Sequence, residues 1–261
     1  MIYAGIGGWN FEPWRGVFFP PGTAKAKELQ YASRHVTSIE VNGTFYSTFK
    51  PPTFRKWHDE TPDDFVFSLK ANRFAVNRKV LGEAGPSIQR FLESGVSELK
   101  GKLGPILWQF MHTKKFDPAD FEAFLALLPK AIDGVALRHA VEPRHESFKT
   151  PQFVALARKY GAAIAFADSA KYPAIPDATG DFVYARLQET QEDVPTGYKP
   201  AQIKRWAQAA EAWADGGLPA GMTAIGKAAP KKKRDVFVYF IAGAKVRNPA
   251  AATAFLKSVK G

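Results

Sequence analysis

Apolar runs of strand length alternate along this chain with segments whose apolar residues repeat at helical spacing. Eight of these runs have the composition of buried β-strands. The predicted strands cover residues 2–6, 36–41, 65–70, 105–110, 135–142, 162–168, 182–187 and 236–241. Strands that alternate with helices predict a parallel sheet, because each crossover helix returns the chain to the same edge of the sheet.

Signals for the starts of helices support the same alternation. Asp117, Thr150 and Asn248 each stand directly before a proline, which places an N-capping side chain ahead of a proline at the first helical position. Two further segments, 88–96 and 203–213, repeat apolar residues on one helical face. Residues 188–199 and 215–234 lack such periodicity and are predicted to be long loops.

Eight strands are the number that closes a β/α barrel. We therefore predict the α/β class, with a single (β/α)8 TIM-barrel-like domain over residues 1–261, parallel strands and an outer ring of helices. An open doubly wound sheet is the alternative, which is weakened because no glycine-rich dinucleotide fingerprint follows the first strand. In a barrel the carboxyl ends of the strands share one rim, and sites are built there.

Composition narrows the class of protein. The chain has no cysteine, which excludes disulfides, thiolate metal sites and a cysteine nucleophile, and fits a reducing compartment. No apolar run is long enough to cross a bilayer, and the first predicted strand begins almost at Met1 without a signal-peptide pattern. We therefore expect a cytoplasmic protein with no membrane partner, and the sequence leaves its oligomeric state open.

The net charge of +11 favours anionic partners. Phosphorylated metabolites, nucleic acid and acidic surfaces fit that charge, and so does a lysine-rich surface that only meets solvent. One dense basic run is present, from Lys231 to Arg234. We expect an anionic small molecule or phosphate as the partner, and any nucleic-acid binding should be weak and nonspecific.

Several predicted strands end on charged residues that would meet at the rim. Strand alternation turns Glu40 and Lys70 into the barrel mouth, and Glu142 would approach Glu40 across the rim. Two carboxylates in different environments can divide acid and base roles, because burial and neighbouring charge separate their pKa values. The alternative is a structural ion-pair network, in which the carboxylates bind Arg138, Arg144 or Arg186.

Two more candidates for catalysis follow later strands. His145 comes just after the fifth strand and could shuttle protons, or it could be a loop histidine bound to backbone. Asp168 ends the sixth strand and could orient His145, join the two glutamates around a divalent ion, or cap a turn. No compact ligand motif supports a metal, and we predict neither a metal nor a cofactor.

Polar and aromatic residues near the same strand ends are candidates for ligand binding. Gly7 and Gly8 allow close backbone approach after the first strand, and the neighbouring tryptophan could form an aromatic wall. Plain packing of the aromatic residues is the alternative. The predicted ligand-binding residues are Trp9, Asn42, Tyr46, Arg73, Gln109, Arg144 and Arg186.

Motifs spread over nearly the whole chain also match a known family. The matching residues include Gly8, Trp9, Trp14, Arg15, Gly16, Ser38, Glu40, Asn42, Thr44, Phe45, Tyr46, Lys70, Gln109, Glu142, Arg144, His145, Asp168 and Arg186. On these residues the chain resembles the YecE-like family, also called domain of unknown function 72. The resemblance implies a TIM-barrel-like fold and implies no particular reaction, because the family's activity is not established.

The chain departs from the family pattern at three places. Residues 76–77 are Val-Asn where Thr-His is expected, residues 188–189 are Gln-Glu where His-Gly is expected, and residues 241–242 are Ile-Ala where an Asn pair is expected. Three functions stay open. We place first an enzyme of hydrolase, lyase or isomerase type that acts on an anionic, phosphorylated or sugar-like small molecule. A nucleic-acid-associated protein and a non-catalytic ligand-binding barrel are the alternatives.

Overall fold

The computed structural model describes residues 1–259 and contains a closed barrel of eight parallel strands. The described residues form ten strands, of which eight build the barrel: β1 Ile2–Gly7, β2 Ser38–Val41, β3 Val66–Lys70, β4 Leu103–Gln109, β5 Ala131–Ile132, β6 Val135–Ala136, β7 His139–Glu142, β8 Ala163–Asp168, β9 Phe182–Leu187 and β10 Asp235–Phe240. The barrel runs β1-β2-β3-β4-β7-β8-β9-β10 and closes on β1. The predicted TIM-barrel-like fold is therefore confirmed, and the open-sheet alternative is wrong.

Helices surround the barrel. They are α1 Glu28–Ala32, α2 Gly43–Tyr46, α3 Pro51–Glu60, α4 Arg73–Val76, α5 Gly85–Leu92, α6 Pro118–Ala126, α7 Pro151–Lys159, α8 Pro200–Ala214 and α9 Asn248–Val259. Over residues 1–259, none of them combines the length and the apolar character that crossing a bilayer would need.

The predicted helix starts are partly as expected. Asp117 accepts hydrogen bonds from two backbone N–H groups of α6, and Thr150 accepts one from the backbone of α7, so both are N-caps. Asn248 is instead the first residue of α9, and its side chain accepts a hydrogen bond from Thr190 Oγ1 at 2.9 Å. The predicted helix 88–96 ends earlier, at Leu92, and a 3-10 segment follows it.

The predicted strand over residues 135–142 is wrong in its first half. β6 pairs antiparallel with β5 in a separate small hairpin, and only β7 joins the barrel. Asp133 and Gly134 both have positive φ, +47° and +76°, as a two-residue type I′ hairpin turn requires. The Asp-Gly pair was the signal for this turn, and the apolar run that continues past it concealed the break.

The amino-terminal end of the barrel is closed by aromatic rings under an arginine. Tyr3 stacks on Phe237 with ring centroids 4.8 Å apart, and Phe182 meets the edge of Phe237. Arg138 lies 4.9 Å from the centroid of Phe237 and donates to Asp235 at 2.9 Å. Arg138 is therefore at the opposite end of the barrel from Glu142 and cannot join the rim network that the sequence left open.

A layer of tyrosine and serine hydroxyls fills the middle of the barrel. The hydroxyls of Tyr239 and Ser38 are 2.7 Å apart, and those of Tyr184 and Ser68 are 2.9 Å apart. Gly5 lies beside this layer, where a Cβ would come within 1.8 Å of the carbonyl oxygen of Ser38. A glycine at this position therefore lets β1 approach β2, and the hydroxyl layer supports the rim directly above it.

Candidate active site

A buried arginine joins two glutamates across the carboxyl-terminal end of the barrel. Arg186 on β9 donates Nε to Glu40 Oε2 at 3.0 Å and Nη2 to Glu40 Oε1 at 2.9 Å. Its Nη1 donates to Glu142 Oε2 at 2.6 Å. Glu40 and Glu142 are fully buried and Arg186 is 4% exposed, so these oppositely charged groups attract one another away from water.

Glu40 is held by two further donors. The hydroxyl of Tyr184 donates to Oε2 at 2.7 Å, and Nδ2 of Asn42 donates to Oε1 at 3.2 Å. Tyr184 stands two residues before Arg186 on the same strand, so both side chains point into the barrel. The carboxylate of Glu40 thus sits between the hydroxyl layer below and the rim above.

Glu142 is held by residues of its own strand end and of β4. Gln109 donates Nε2 to Oε2 at 2.7 Å, and Arg144 donates Nε to Oε1 at 3.2 Å. Burial alone would raise the pKa of Glu142, but the positive charges of Arg186 and Arg144 lower that pKa to about 2. At neutral pH Glu142 is therefore a fixed anion, and the pKa of Arg186 is raised in turn by its two carboxylate partners, against the effect of burial.

Lys70 differs from the other charges of the buried cluster. It ends β3, is 7% exposed, and its Nζ lies 4.1 Å from the centroid of the Phe45 ring. Within residues 1–259 the ammonium group has neither a hydrogen bond nor an ion pair. Burial lowers the pKa of Lys70 to about 8, the charge of Arg186 adds to that effect, and Glu40 and Glu142 oppose it.

Arg144 forms the outer edge of the same cluster. Its guanidinium lies 4.2 Å from the centroid of the Tyr172 ring, and Nη1 donates to the Tyr172 hydroxyl at 3.3 Å. The side chain is 21% exposed. Nη2 of Arg144 has no partner within the described part of the chain, and the charge of Arg144 acts on Lys70 in the same cluster.

Asp168 and His145 do not interact, and this corrects the expectation that the aspartate could orient the histidine. Asp168 accepts a hydrogen bond from the hydroxyl of Tyr198 at 2.8 Å, and burial raises its pKa. His145 Nδ1 instead contacts Ser147 and accepts from its backbone N–H at 3.1 Å. Alternation explains the separation, because the even positions of β8 point away from the barrel interior.

The set of two glutamates, Asp168 and His145 therefore does not converge on one point. No group of three or more histidine, aspartate or glutamate side chains among residues 1–259 has an arrangement that could hold a metal ion. His145 works locally as the N-cap of a short 3-10 segment, Glu146–Phe148.

Three predicted ligand-binding residues lie outside the buried cluster. Trp9 packs edge-on against Trp57 with ring centroids 5.2 Å apart. Tyr46 is 64% exposed and rests on Phe45, so Phe45 and not Tyr46 contacts Lys70. Arg73 is exposed at the start of α4, with its guanidinium 5.3 Å from the centroid of the ring of its neighbour Phe74. The side chains of these residues make no hydrogen bond or ion pair with Glu40 or Glu142.

A cavity of about 960 Å³ adjoins the cluster on the side of β1 and β2. Trp9 and Asn42 line it, and Asn42 also donates to Glu40, so the cavity reaches the buried network through this amide. Lys70 is not part of its lining. The cavity also carries basic and aromatic side chains, namely Phe11, Lys25, Phe49, Lys56, Trp57 and Lys245.

The basic run is not uniformly available to an external partner. Arg234 is 4% exposed and donates to the backbone carbonyls of Gly180, Lys232 and Pro230. Only residues 231–233 of the run are exposed. Arg234 thus stabilises the long loop that precedes β10, and weak nucleic-acid binding through the three remaining lysines stays a prediction.

Two of the three departures from the expected pattern have visible structural effects. Gln188 is buried just after the end of β9, two residues past Arg186, and its Nε2 has no hydrogen-bond partner within residues 1–259. Ile241 packs with the apolar interior of the barrel, within 3.1 Å of where a Cβ on Gly7 would lie. Val76 is buried in α4 and Asn77 ends that helix. The rim is therefore more apolar here than histidine and asparagine would make it.

Comparison with known proteins places the whole chain in one group. A family model described as "Protein of unknown function DUF72" matches residues 3–261. The UPF0759 protein YecE of Escherichia coli (strain K12) is 31% identical over 143 residues, 53% of this chain and 49% of that protein. The UPF0759 protein YunF of Bacillus subtilis (strain 168) is 38% identical over 71 residues, 27% of this chain and 24% of that protein. The matched segments thus span half or less of these curated relatives.

Solved structures show the same fold. The crystal structure of a DUF72 family protein from Thermotoga maritima MSB8 aligns over 100% of both chains, with a TM-score of 0.77 and 21% identity. A DUF72 family protein from Enterococcus faecalis V583 aligns over 100% of this chain and 96% of its own, with a TM-score of 0.73 and 16% identity. At these identities the comparison establishes the fold alone.

Proposed function

The chain belongs to the DUF72 family of proteins of unknown function, and we propose that it is an enzyme that performs acid–base chemistry on a small anionic substrate at the carboxyl-terminal rim of its barrel. The observation that carries this proposal is Lys70, a residue 7% exposed whose amine has no polar partner in the described chain, beside three fixed charges. Such a group is unfavourable for stability, and perturbed groups of this kind cluster at functional sites. The rim is also where TIM barrels place their active sites.

Lys70 suits proton transfer better than the two glutamates do. A pKa of about 8 lets it exchange a proton near neutral pH, whereas Glu142 stays ionised above about 2. Glu40 is bound by both nitrogens of one edge of Arg186. We therefore assign the carboxylates to fixing Arg186 in place, and Lys70 to the chemical step. The earlier division of acid and base roles between the two glutamates receives no support from this geometry.

Charge favours an anionic substrate. Lys70, Arg144 and Arg186 place three positive charges against the two carboxylates of Glu40 and Glu142, so the cluster is positive when Lys70 is protonated. Within residues 1–259, Arg144 Nη2 and the Lys70 ammonium are the donors of this charged cluster that have no hydrogen-bond partner. A carboxylate or phosphate group would satisfy donors of this type.

A thermal-shift screen tests the proposal. Small carboxylates and phosphate esters are offered to the wild-type protein, to Lys70→Met and to Lys245→Met, since a bound ligand raises the melting temperature. Lys245 is a matched control, because its ammonium also lies 4.1 Å from an aromatic ring centroid, that of Phe11, but on an exposed residue. We expect ligands that stabilise the wild type and Lys245→Met and fail with Lys70→Met.

The same screen separates the alternatives. Hits are then incubated with protein and followed for consumption. Binding at Lys70 without consumption would favour the non-catalytic ligand-binding barrel. Stabilisation by oligonucleotides that persists at physiological salt would favour a nucleic-acid partner, because nonspecific phosphate contacts weaken steeply as salt rises. Loss of every hit in Lys245→Met, with none lost in Lys70→Met, would move the site to the 960 Å³ cavity.

A further inference from the structure

We infer that Lys70 forms a covalent imine with an aldehyde or ketone that also carries a carboxylate or phosphate group. The inference rests on the proposed function and names the substrate class of that same site. The surroundings of the Lys70 amine support this inference. Nζ faces the ring of Phe45 at 4.1 Å and has no acceptor within residues 1–259, so its lone pair, once deprotonated, is not committed to a hydrogen bond.

The step balances without a co-reactant. The lone pair of neutral Nζ attacks the carbonyl carbon, and the carbonyl oxygen takes up a proton from water to give a carbinolamine. The nitrogen then loses one proton to solvent, the hydroxyl leaves as water after it gains a proton, and a C=N double bond forms. The net change is one amine, one carbonyl and one proton converted to one protonated imine and one water.

The fixed charges around Lys70 favour the product of this step. The protonated imine keeps the positive charge on Nζ, and Glu40 and Glu142 act on that charge favourably from inside the barrel. The face of Phe45 stabilises a cation at the same position. The anionic group of the substrate would meet Nη2 of Arg144, the unpartnered donor at the outer edge of the cluster.

An imine also gives a role to the arrangement of Arg186. A protonated imine withdraws electrons from the adjacent carbon, so a proton on that carbon becomes acidic or a bond to it becomes breakable. Such chemistry requires a cationic nitrogen in a fixed position. It does not require Glu40 or Glu142 to exchange a proton. The ion pairs of Arg186 hold the carboxylates of Glu40 and Glu142 in fixed positions near Lys70.

Reductive trapping tests the inference. The full-length protein is incubated at pH 7 with glyoxylate, the simplest anionic aldehyde, and cyanoborohydride, which reduces an imine to a stable secondary amine. Intact-mass spectrometry and peptide mapping then report one carboxymethyl group and its position. At pH 7 a lysine of pKa about 8 has roughly 200 times more free amine than one near 10.4. We expect Lys70 to be modified at least tenfold faster than any other lysine.

Four comparisons make the result decisive. Lys245→Met should be labelled like the wild type, and Lys70→Met should lose the fast site. Neutral glycolaldehyde should label Lys70 more slowly than glyoxylate if the arginine recognises an anion, and phosphate should compete. Fast labelling of many lysines, or faster labelling of Lys245 than of Lys70, would refute imine formation at Lys70.

The proposed function and the imine can fail separately. Consumption of a substrate that depends on Lys70, without any trapped adduct on it, would leave acid–base catalysis standing and refute the imine. A trapped adduct on Lys70 with no ligand from the thermal-shift screen would show a reactive amine and count against an enzyme of anionic metabolites. In Arg144→Met the imine predicts slower glyoxylate labelling with unchanged glycolaldehyde labelling.

Discussion

Nη1 of Arg186 and Oε2 of Glu142 lie 2.6 Å apart, and neither residue has more than 4% of its surface exposed. Glu40 holds the opposite edge of the same guanidinium. A pair this deeply buried stabilises the protein only while both partners remain charged, because an unmatched ion in the interior is expensive.

Replacing Glu142 with glutamine should therefore destabilise the protein strongly. The amide removes one negative charge and leaves Arg186 and Arg144 with a single buried carboxylate, Glu40, between them. We expect a loss of about 3–5 kcal/mol in the free energy of unfolding, measured by urea denaturation. Glu98→Gln at the exposed Arg55–Glu98 pair is the control and should have a far smaller effect. Equal effects at both sites would contradict a structural role for Glu142.

The same ion pair predicts acid sensitivity. The pKa of Glu142 is lowered from 4.5 in the unfolded chain to about 2 in the folded protein. Its contribution is therefore complete above about pH 4.5 and is lost as pH falls towards 2, because the unfolded state binds the proton first. We expect the stability gap between wild type and Glu142→Gln to narrow by about 3 kcal/mol over that range. A gap that stays constant from pH 5 to pH 2 would rule out this origin.

Lys70→Met should stabilise the protein at neutral pH. The pKa of Lys70 is lowered from 10.5 to about 8, so below about pH 8 the folded protein holds a charge that burial disfavours. We expect a gain of about 1–3 kcal/mol at pH 7, reduced by loss of the contact with Phe45. The gain should shrink between pH 8 and 10.5, where the wild type becomes neutral first when folded. Thermal melts of the wild type and Lys70→Met at pH 7 and pH 10 measure this difference. A variant less stable than the wild type at pH 7 would make Lys70 a structural residue.

A pair of neighbouring positions tests backbone strain at the end of β10. Ala242 has φ of +56°, which costs a residue with a Cβ energy that glycine avoids. Ala242→Gly should raise stability by about 0.5–1 kcal/mol. Gly243 has φ of +52°, but a Cβ there would lie 2.6 Å from Oγ1 of Thr190, so Gly243→Ala should lower stability. Chemical denaturation should therefore give changes in the free energy of unfolding of opposite sign for the two variants. A loss of stability in both would contradict strain at Ala242.

The fold and the location of the rim were predictable from sequence, because strand alternation is a local property. Glu40 and Lys70 lie at the carboxyl ends of β2 and β3, as the alternation of their strands indicates. Which arginine would bind the glutamates was not predictable from pattern alone. Arg138 stands four residues before Glu142, which places it about 13 Å lower along the strand. At that distance its guanidinium cannot reach the glutamates at the rim.

Aromatic residues account for most of what sequence reasoning missed. Tyr184 and Tyr239 are not among the predicted site residues, yet their hydroxyls complete the interior beneath Glu40. The signal for Tyr184 was its alternation with Arg186. Phe45 and Tyr172 contact Lys70 and Arg144 from outside the strands, and no periodicity indicates such contacts. The short helix α2 places Phe45 and a loop places Tyr172, and only the folded chain determines where these two segments lie.

The bridge from Glu40 to Arg186 joins residues 146 positions apart, and one lies in each half of the ring of strands. It can form only after the two halves have met, so it should be absent from early folding intermediates. We expect its loss to accelerate unfolding while leaving refolding nearly unchanged. A polypeptide cut between the halves would carry a buried carboxylate on one piece and its counter-ion on the other. Neither piece should therefore persist alone, and mixing the two should restore the barrel.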